Sequence, residues 1–158
     1  MFLFSCYTGL RFSDITRLQK DNFHLIDGKW WLIFKSLKTG VTIKLPIYML
    51  FDGKPIEIFK KYCKRNFKSS LFGLSTTSNS ATNKQLKQLA QKVKVYKHIS
   101  FHTARHTCAT ILLYNGVQLT TVQKLLGHQS IRTTEVYSDI MDMTVIRDLQ
   151  KIKQKKNK

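Results

Sequence analysis

Two histidines and an arginine lie close together in the run His102-Thr-Ala-Arg105-His106. If this run is helical, His102 and Arg105 project from one face, because residues three apart on a helix are neighbours. The spacing of His102 and His106 also matches that of a zinc-binding helix. The segment between them contains no Glu, and Cys108 would point elsewhere, so we do not favour a metal site. Alone, a His-x-x-Arg pattern is more typical of an ordinary helix surface.

Four further side chains could take part in chemistry, although each has an ordinary structural explanation. His128 comes directly after the predicted C-terminus of a helix, and Tyr137 follows nine residues later on the next short helix. A single tyrosine on an amphipathic helix usually belongs to the core, with its hydroxyl at the rim. Arg11 would by default be a surface charge, and Lys38 lies on a predicted turn. Individually, none of the four indicates a function.

The composition points to a folded domain with a polyanionic partner. The chain has 158 residues, which suits one domain. It contains 27 Lys and Arg against nine Asp and Glu, a formal net charge of +18. Such an excess repels itself in a compact state and is typical of proteins that bind polyanions. Hydrophobic residues make up 42% of the chain, which is too many for a disordered basic tail.

Cysteine content and hydropathy exclude secreted and membrane-spanning classes. Cys6, Cys63 and Cys108 are odd in number and widely separated, which indicates reduced thiols rather than a disulfide framework. No apolar run approaches the roughly 18–20 residues of a membrane span. The N-terminal segment has no basic region that would begin a secretory signal. We therefore expect a cytoplasmic protein with no membrane partner.

The clearest secondary-structure signal is a small antiparallel sheet. The segments Phe23–Ile26 and Lys29–Phe34 flank Asp27-Gly28, which is a strong hairpin signal. A third strand, Thr42–Pro46, follows the turn Lys38-Thr-Gly. The sequence therefore predicts three antiparallel strands, with Lys38 on the second turn.

The rest of the chain is predicted to be mostly helical. Gly9 suits the end of a helix that occupies the first residues, and residues 69–82 form an exposed loop. Further helices are predicted to begin at or near Ser13, Pro55, Thr82, Ser100, Thr120 or Thr121, and Ser130. The helix that Ser13 begins is expected to run to about Gln19, with Asp14 in its first turn. The fold class is α+β and mostly α-helical.

The order and spacing of these motifs along the chain are more informative than any one motif alone. Together they resemble the catalytic domain of the tyrosine recombinases, also called phage-type integrases. The resemblance spans residues 1 to about 140. The residues of the Arg11 and His102 motifs are most similar to those of integrases of Bacteroides-type mobile elements. The motifs that carry it are, in chain order, Thr8-Gly-Leu-Arg11-Phe-Ser-Asp14, Lys38-Thr-Gly40, His102-Thr-Ala-Arg105-His106, Leu126-Gly-His128 and Tyr137.

The resemblance implies a fold and a division of labour at the site. The implied fold is that of the tyrosine recombinase (DNA breaking-rejoining enzyme) catalytic domain. Two arginines hold the phosphate and two histidines donate hydrogen bonds, while a lysine protonates the leaving 5′ oxygen and a tyrosine attacks phosphorus. Asp14 matches an acidic position that orients its neighbours, and His106 supports the fold. The implied catalytic residues are Arg11, Lys38, His102, Arg105, His128 and Tyr137.

The resemblance also implies partners and a domain organisation. We expect strand cleavage and rejoining on double-stranded DNA through a 3′-phosphotyrosyl intermediate, with no metal, cofactor, ATP or small-molecule substrate. The full-length protein is expected to act as a homotetramer. Residues 1–140 would form the catalytic domain, with its N-terminal helix clipped and the core-binding domain absent. Residues 141–158 would form a C-terminal amphipathic helix and a basic tail.

Two alternatives compete with a site-specific recombinase. A type IB topoisomerase shares this chemistry, but an amphipathic C-terminal helix is better suited to exchange between protomers. A non-catalytic DNA-binding module would use the positive charge alone and has no need for six such groups in order. Two departures from the family pattern, Ala104 and the pair Ser138-Asp139, remove no reacting group.

Overall fold

A three-stranded sheet and a set of helices make up the computed structural model, which describes residues 1–64, 70–73, 77–130, 132–135, 145, 146 and 149. The helices are α1 (Phe2–Thr8), α2 (Phe12–Ile15), α3 (Lys54–Cys63), α4 (Asn79–Lys92), α5 (Phe101–Tyr114), α6 (Leu119–Leu126) and α7 (Arg132–Glu135). The strands are β1 (Phe23–Ile26), β2 (Lys29–Lys35) and β3 (Thr42–Leu45). Short 3-10 turns occupy Lys20–Asn22 and Leu50–Gly53. The α+β, mostly helical prediction is confirmed.

The sheet is antiparallel with the strand order β1-β2-β3, as predicted. Asp27 and Gly28 form the turn between β1 and β2, with φ of 49° and 71°. Positive φ at both central residues is what a type I′ hairpin requires. In the central strand Leu32 pairs with Phe23 on one side and Leu45 on the other. All three side chains are buried, so this face of the sheet packs into the core.

The main core joins α1, the sheet and α3 through aromatic side chains. Phe4 of α1 is fully buried and meets the ring of Phe72 edge-on, with centroids 5.5 Å apart. Phe23 of β1 stacks on Phe59 of α3 at a centroid distance of 3.9 Å. Burial of such side chains supplies the main driving force for folding. The sheet is thereby fixed against the helix that precedes Arg11.

Helix α5 packs against both α1 and α6. A second apolar cluster fills its contact with α6 and consists of Ala109, Leu113, Val122 and Leu126. On the α1 side, Phe101 at the start of α5 meets Phe2 edge-on. The His-x-x-Arg motif therefore lies on the helix that contacts both of the elements preceding Arg11 and His128.

The prediction that Ser13 caps a helix running to Gln19 is wrong. Helix α2 spans only Phe12–Ile15, and its N-cap residue is Arg11 in an extended conformation. After the C-cap Thr16, the N–H groups of Arg17 and Leu18 bond three residues back instead of four. The hydroxyl of Thr16 also bonds the carbonyl oxygen four residues earlier, which favours an early end.

Thr82 is likewise not the cap of α4. Ser78 is the N-cap, and its hydroxyl oxygen accepts a hydrogen bond from the N–H of Ala81 at 3.1 Å. The hydroxyl of Thr82 donates back to the Ser78 carbonyl at 3.1 Å, inside the first turn. Serine is the better capping residue of the two. The helix therefore begins within the segment 69–82, which is predicted to be a loop.

The remaining helix limits agree with the predictions to within one or two residues. Ser100 is the N-cap of α5, and Asn115 is its C-cap. Helix α6 begins after Gln118, slightly before the predicted threonines. Pro55 is the second residue of α3. Gly9 ends α1 in the predicted left-handed conformation, with φ 68°.

The C-terminal predictions fall largely outside the described residues. Helix α7 lies just after Ser130, the predicted cap, but Tyr137 and most of residues 141–158 are not described. The division of the chain at residue 140 stays a prediction. Among the described helices, none has the length and apolar character needed to cross a bilayer.

We predict that Gly127→Ala destabilises the fold more than Gly28→Ala does. Both glycines have positive φ, 64° and 71°, where an added Cβ costs about 1 kcal/mol. At Gly127 that Cβ would also lie 2.6 Å from Cδ1 of Ile43, which is 4% exposed, whereas Gly28 faces open space. We expect losses in the free energy of unfolding of about 2 and about 1 kcal/mol. Urea denaturation measures both, and equal losses would contradict the close packing of α6 on β3.

Candidate active site

Four of the six predicted site residues line one cavity of about 280 Å³. Arg11 comes from the start of α2, Lys38 from the β2–β3 turn, and His102 and Arg105 from α5. Three separate parts of the chain therefore contribute cationic or hydrogen-bonding groups to the same space. The other residues that line the cavity are Leu10, Phe12, Ser13, Asn79 and Phe101.

Arg105 is the most deeply buried of these groups, with 3% of its surface exposed. Nη1 donates a hydrogen bond to the carbonyl oxygen of Gly9 at 2.6 Å, and Nη2 donates to that of Leu126 at 2.8 Å. Gly9 is the C-cap of α1, and Leu126 is the last residue of α6. Carbonyls at helix C-termini carry partial negative charge, which stabilises the buried guanidinium. The same contacts fix its position at the cavity.

Arg11 is half-buried at the N-terminus of α2. Its Nη1 lies 3.4 Å from the hydroxyl oxygen of Ser36, at the end of β2. Burial lowers the pKa of the guanidinium, and the charge of Asp14 opposes this shift. An arginine keeps its charge through shifts of this kind, because its ordinary pKa is above 12. Arg11 therefore places a fixed positive charge beside that of Arg105.

Asp14 connects α2 to the turn that carries Lys38. Its side chain is buried, with 5% exposure, and accepts a hydrogen bond from the N–H of Leu37 at 2.8 Å. The hydroxyl of Ser36 donates to the same carboxylate at 3.1 Å. A buried carboxylate is costly unless its oxygens are hydrogen-bonded, and these two donors satisfy it. Asp14 thus orients the turn through its backbone.

His102 faces the cavity from the first turn of α5. Its ring meets the ring of His106 edge-on, with centroids 4.4 Å apart. Burial is the main cause that lowers the pKa of His102, followed by His106 and then by Arg105. His102 is therefore neutral at pH 7. Within the described part of the chain, no three His, Cys, Asp or Glu side chains are arranged to hold a metal ion.

His128 follows the left-handed Gly127 that ends α6. Its Nδ1 lies 2.8 Å from the hydroxyl oxygen of Thr134, which is fully buried in α7. Burial lowers the pKa of His128 to about 4, with smaller contributions from Arg105 and Arg11. His128 is thus neutral at pH 7. The hydrogen bond to Thr134 fixes the orientation of its ring.

Tyr137, the predicted nucleophile, lies outside the described residues. Thr134 stands three residues before it, and its contact with His128 places α7 beside the end of α6. The chain therefore reaches position 137 from a helix that is tied to a predicted site residue.

Sequence reasoning missed several residues that support the site. Ser36 and Thr134 are buried hydroxyl donors or acceptors for site residues, and Asn79 lines the cavity at the start of α4. The side-chain amide of Gln129 donates to the carbonyl oxygen of Thr39 at 3.1 Å. No spacing rule identifies these contacts, because each joins segments that are distant in sequence or depends on a tertiary turn. The only sequence signal for these residues was that some of them lie next to or near Lys38 or His128 in the chain.

The sequence profile of the phage integrase family matches residues 1–143. A tyrosine recombinase XerD from Listeria innocua serovar 6a is 32% identical over 155 residues, covering 91% of this chain and 50% of the relative. The XerD of Staphylococcus saprophyticus is 30% identical over 138 residues and is covered to 46%. The chain thus spans about half the length of the relatives it matches. The finer similarity to Bacteroides-type elements stays a prediction.

Solved structures of recombinases share the fold. A crystal structure of XerA recombinase superposes with a TM-score of 0.71 at 20% identity, covering 90% of this chain and 53% of that one. A XerH site-specific recombinase bound to its difH substrate after cleavage gives a TM-score of 0.69 at 20% identity, with coverages of 97% and 44%. The predicted fold is therefore confirmed, and the chain belongs to the phage integrase family of tyrosine recombinases.

Proposed function

We propose that this chain is the catalytic domain of a site-specific DNA recombinase, which cleaves and rejoins strands through a covalent bond to Tyr137. The observation that carries the proposal is the convergence of Arg11, Lys38, His102 and Arg105 on one cavity. The relatives and the superposed structures carry recombinase names, and the complex with XerH contains DNA. The net charge of +18 suits the same polyanion.

The two arginines bind the phosphodiester in this proposal. Planar guanidinium groups match the geometry of phosphate oxygens, and charge-assisted hydrogen bonds of this type are strong. During displacement at phosphorus, negative charge builds on the non-bridging oxygens. Arg105 is held in place before DNA arrives, because its carbonyl partners belong to α1 and α6. Groups that are already oriented stabilise such a transition state without reorganisation.

The neutral histidines complete the phosphate site as hydrogen-bond groups. When the Thr134 hydroxyl donates to Nδ1 of His128, the proton of the ring is on Nε2 and can be donated to phosphate. The opposite tautomer leaves Nε2 free to accept the proton of Tyr137. His102 adds a second neutral imidazole next to the guanidinium of Arg105.

The reaction balances with the side chains of this chain alone. The Tyr137 oxygen passes its proton to Nε2 of His128, in the tautomer that can accept it, and forms a bond to phosphorus. The bond between phosphorus and the 5′ oxygen breaks. Lys38 supplies the proton that the leaving 5′ oxygen takes up. The product is a 3′-phosphotyrosyl linkage and a free 5′ hydroxyl. Attack by a 5′ hydroxyl from another strand reverses these steps and rejoins DNA without ATP.

The assembly and location are part of the same proposal. We place the protein in the cytoplasm, consistent with the three free cysteines, and expect a homotetramer on DNA. Ile146 and Leu149, in the predicted C-terminal amphipathic helix, are each 60% exposed. Exposed apolar side chains on such a helix are suited to docking on a neighbouring protomer.

The alternatives explain less of the site. A DNA-binding module needs phosphate contacts only. It has no use for a lysine on a separately supported turn beside one buried and one half-buried arginine. Relaxation of DNA by a topoisomerase-like enzyme uses the same chemistry within a monomer. The exposed side chains of Ile146 and Leu149 favour exchange between protomers instead.

We predict that Tyr137→Phe abolishes covalent protein–DNA adducts while DNA binding persists, because only the phenolic oxygen is removed. Adducts are trapped on a nicked duplex and resolved by denaturing electrophoresis, and a gel-shift assay measures binding. Tyr114→Phe is the matched control and should retain the adduct, since Tyr114 lies at the end of α5 and is 57% exposed. An adduct that survives Tyr137→Phe would disprove this nucleophile.

Lys38→Ala should slow adduct formation on ordinary DNA by about 10²-fold or more, the range typical of a lost general acid. A substrate with sulfur in place of the bridging 5′ oxygen needs no proton for departure, because a thiol is far more acidic than an alcohol. We expect this substrate to restore most of the rate. A lack of rescue would show that Lys38 does not act on the leaving group.

Thr134→Val should slow adduct formation by about tenfold, because it removes the hydroxyl beside Nδ1 of His128 and keeps the shape of the side chain. Thr134→Ser retains the hydroxyl and should retain most of the rate. Initial rates and thermal midpoints are measured for both variants. Equal rates for Val and Ser would contradict a role for this hydrogen bond.

A further inference from the structure

Burial of side chains contributes little to the stability of the turn that carries Lys38. Leu37 and Val41, on either side of its tip, are 54% and 38% exposed. The hydroxyl oxygen of Thr39 is buried and has no hydrogen-bond partner within the described residues, which is unfavourable. Inside the turn, the N–H of Ser36 bonds the carbonyl of Val41 and the N–H of Gly40 bonds the carbonyl of Ser36, each at 2.9 Å. Hydrogen bonds from other parts of the chain add to these two.

Two such contacts reach the turn from opposite sides of Lys38. Before Lys38, the carboxylate of Asp14 accepts from the N–H of Leu37 at 2.8 Å. After Lys38, the carbonyl oxygen of Thr39 accepts from Nε2 of Gln129 at 3.1 Å. The Ser36–Leu37 peptide before Lys38 and the Thr39–Gly40 peptide after it are thus each bonded to a distant element. Together these contacts restrict the backbone of the turn on both sides of Lys38.

Gln129 also connects this turn to the rest of the site. It directly follows His128, whose ring bonds Thr134 and whose carbonyl oxygen accepts from Nε2 of Gln123 at 3.3 Å. The backbone at 128–129 is therefore anchored independently of the turn. The Gln129 side chain itself is exposed, so its replacement removes one contact without opening a cavity.

From these contacts we propose that Gln129 is a positioning residue for Lys38. Its amide holds the turn so that the ammonium group of Lys38 faces the leaving 5′ oxygen. This inference rests on the proposed function, because it concerns the proton donor of that reaction. Gln129 does not touch the reacting atoms and acts through the backbone of Thr39.

The test uses Gln129→Glu, which keeps the shape of the side chain and removes the donated N–H at neutral pH. Gln118→Glu is the matched control, since it introduces the same charge at the exposed start of α6, where the glutamine side chain makes no capping bond. Adduct formation by the 158-residue chain is timed on ordinary DNA and on the 5′-bridging sulfur substrate. Lys38→Ala serves as the reference for a lost proton donor.

We expect Gln129→Glu to slow adduct formation about tenfold on ordinary DNA and less than twofold on the sulfur substrate, with Gln118→Glu near wild type on both. A merely structural role would slow both substrates equally. Equal slowing, or no slowing on ordinary DNA, overturns the proposal. Absence of any wild-type adduct, or of rescue for Lys38→Ala, instead counts against the proposed function.

A second measurement tests the positioning without chemistry. The N–H of Gly40 bonds the carbonyl of Ser36 inside the turn, so its hydrogen exchange reports how well the turn is held. We expect Gln129→Glu to speed exchange at Gly40 by about tenfold and to leave exchange in α5 unchanged. Unchanged exchange at Gly40 would overturn the proposal whether or not the chain forms adducts.

Discussion

The buried guanidinium of Arg105 determines the geometry of the site. It binds the carbonyl oxygens of Gly9 and Leu126, at the C-terminal ends of α1 and α6. Arg11 lies two residues after Gly9, and His128 lies two residues after Leu126. The Arg105 side chain therefore fixes the backbone just before each of these two site residues. A buried charge without partners would be strongly destabilising, which makes this arrangement a requirement of the fold as well as of the site. Gly9 and Gly127 adopt left-handed backbone conformations, which let the chain change direction at the two carbonyl contacts of Arg105.

Burial and nearby positive charge together favour the neutral form of the two histidines. Burial is the first cause of the lowered pKa at His102 and His128, and the guanidinium of Arg105 contributes at both. A cavity with fixed cations and the neutral imidazole of His102 attracts an anion without adding protons to the site. The nearby carboxylate of Asp14 turns its oxygens to Ser36 and Leu37. It stabilises the positive charge nearby while it supports the turn.

The sequence was sufficient for the sheet, the order of the helices and four of the residues that line the cavity. Asp27-Gly28 specifies the hairpin turn, and the motif order identifies the family. The prediction that Ser13 and Thr82 are caps was wrong for two reasons. Arg11, whose side chain contacts Ser36, is the N-cap of α2, and Ser78 caps α4 in place of Thr82. The two carbonyl contacts of Arg105 also could not be predicted from the sequence, because the partner residues lie 96 and 21 residues away from Arg105. Where Tyr137 lies stays a prediction.

The site has two parts, which are held in place by different hydrogen bonds. The part proposed to bind phosphate is held by the hydrogen bonds of Arg105, which is 3% exposed and so largely shielded from water. The turn with Lys38 instead relies on buried Asp14 on one side and on the exposed amide of Gln129 on the other. Water competes for an exposed hydrogen bond, so the second contact is the weaker one. In the proposed function, phosphate binding is therefore built into the packing of the helices, whereas the position of the proton donor depends on surface contacts that can change without unfolding the domain.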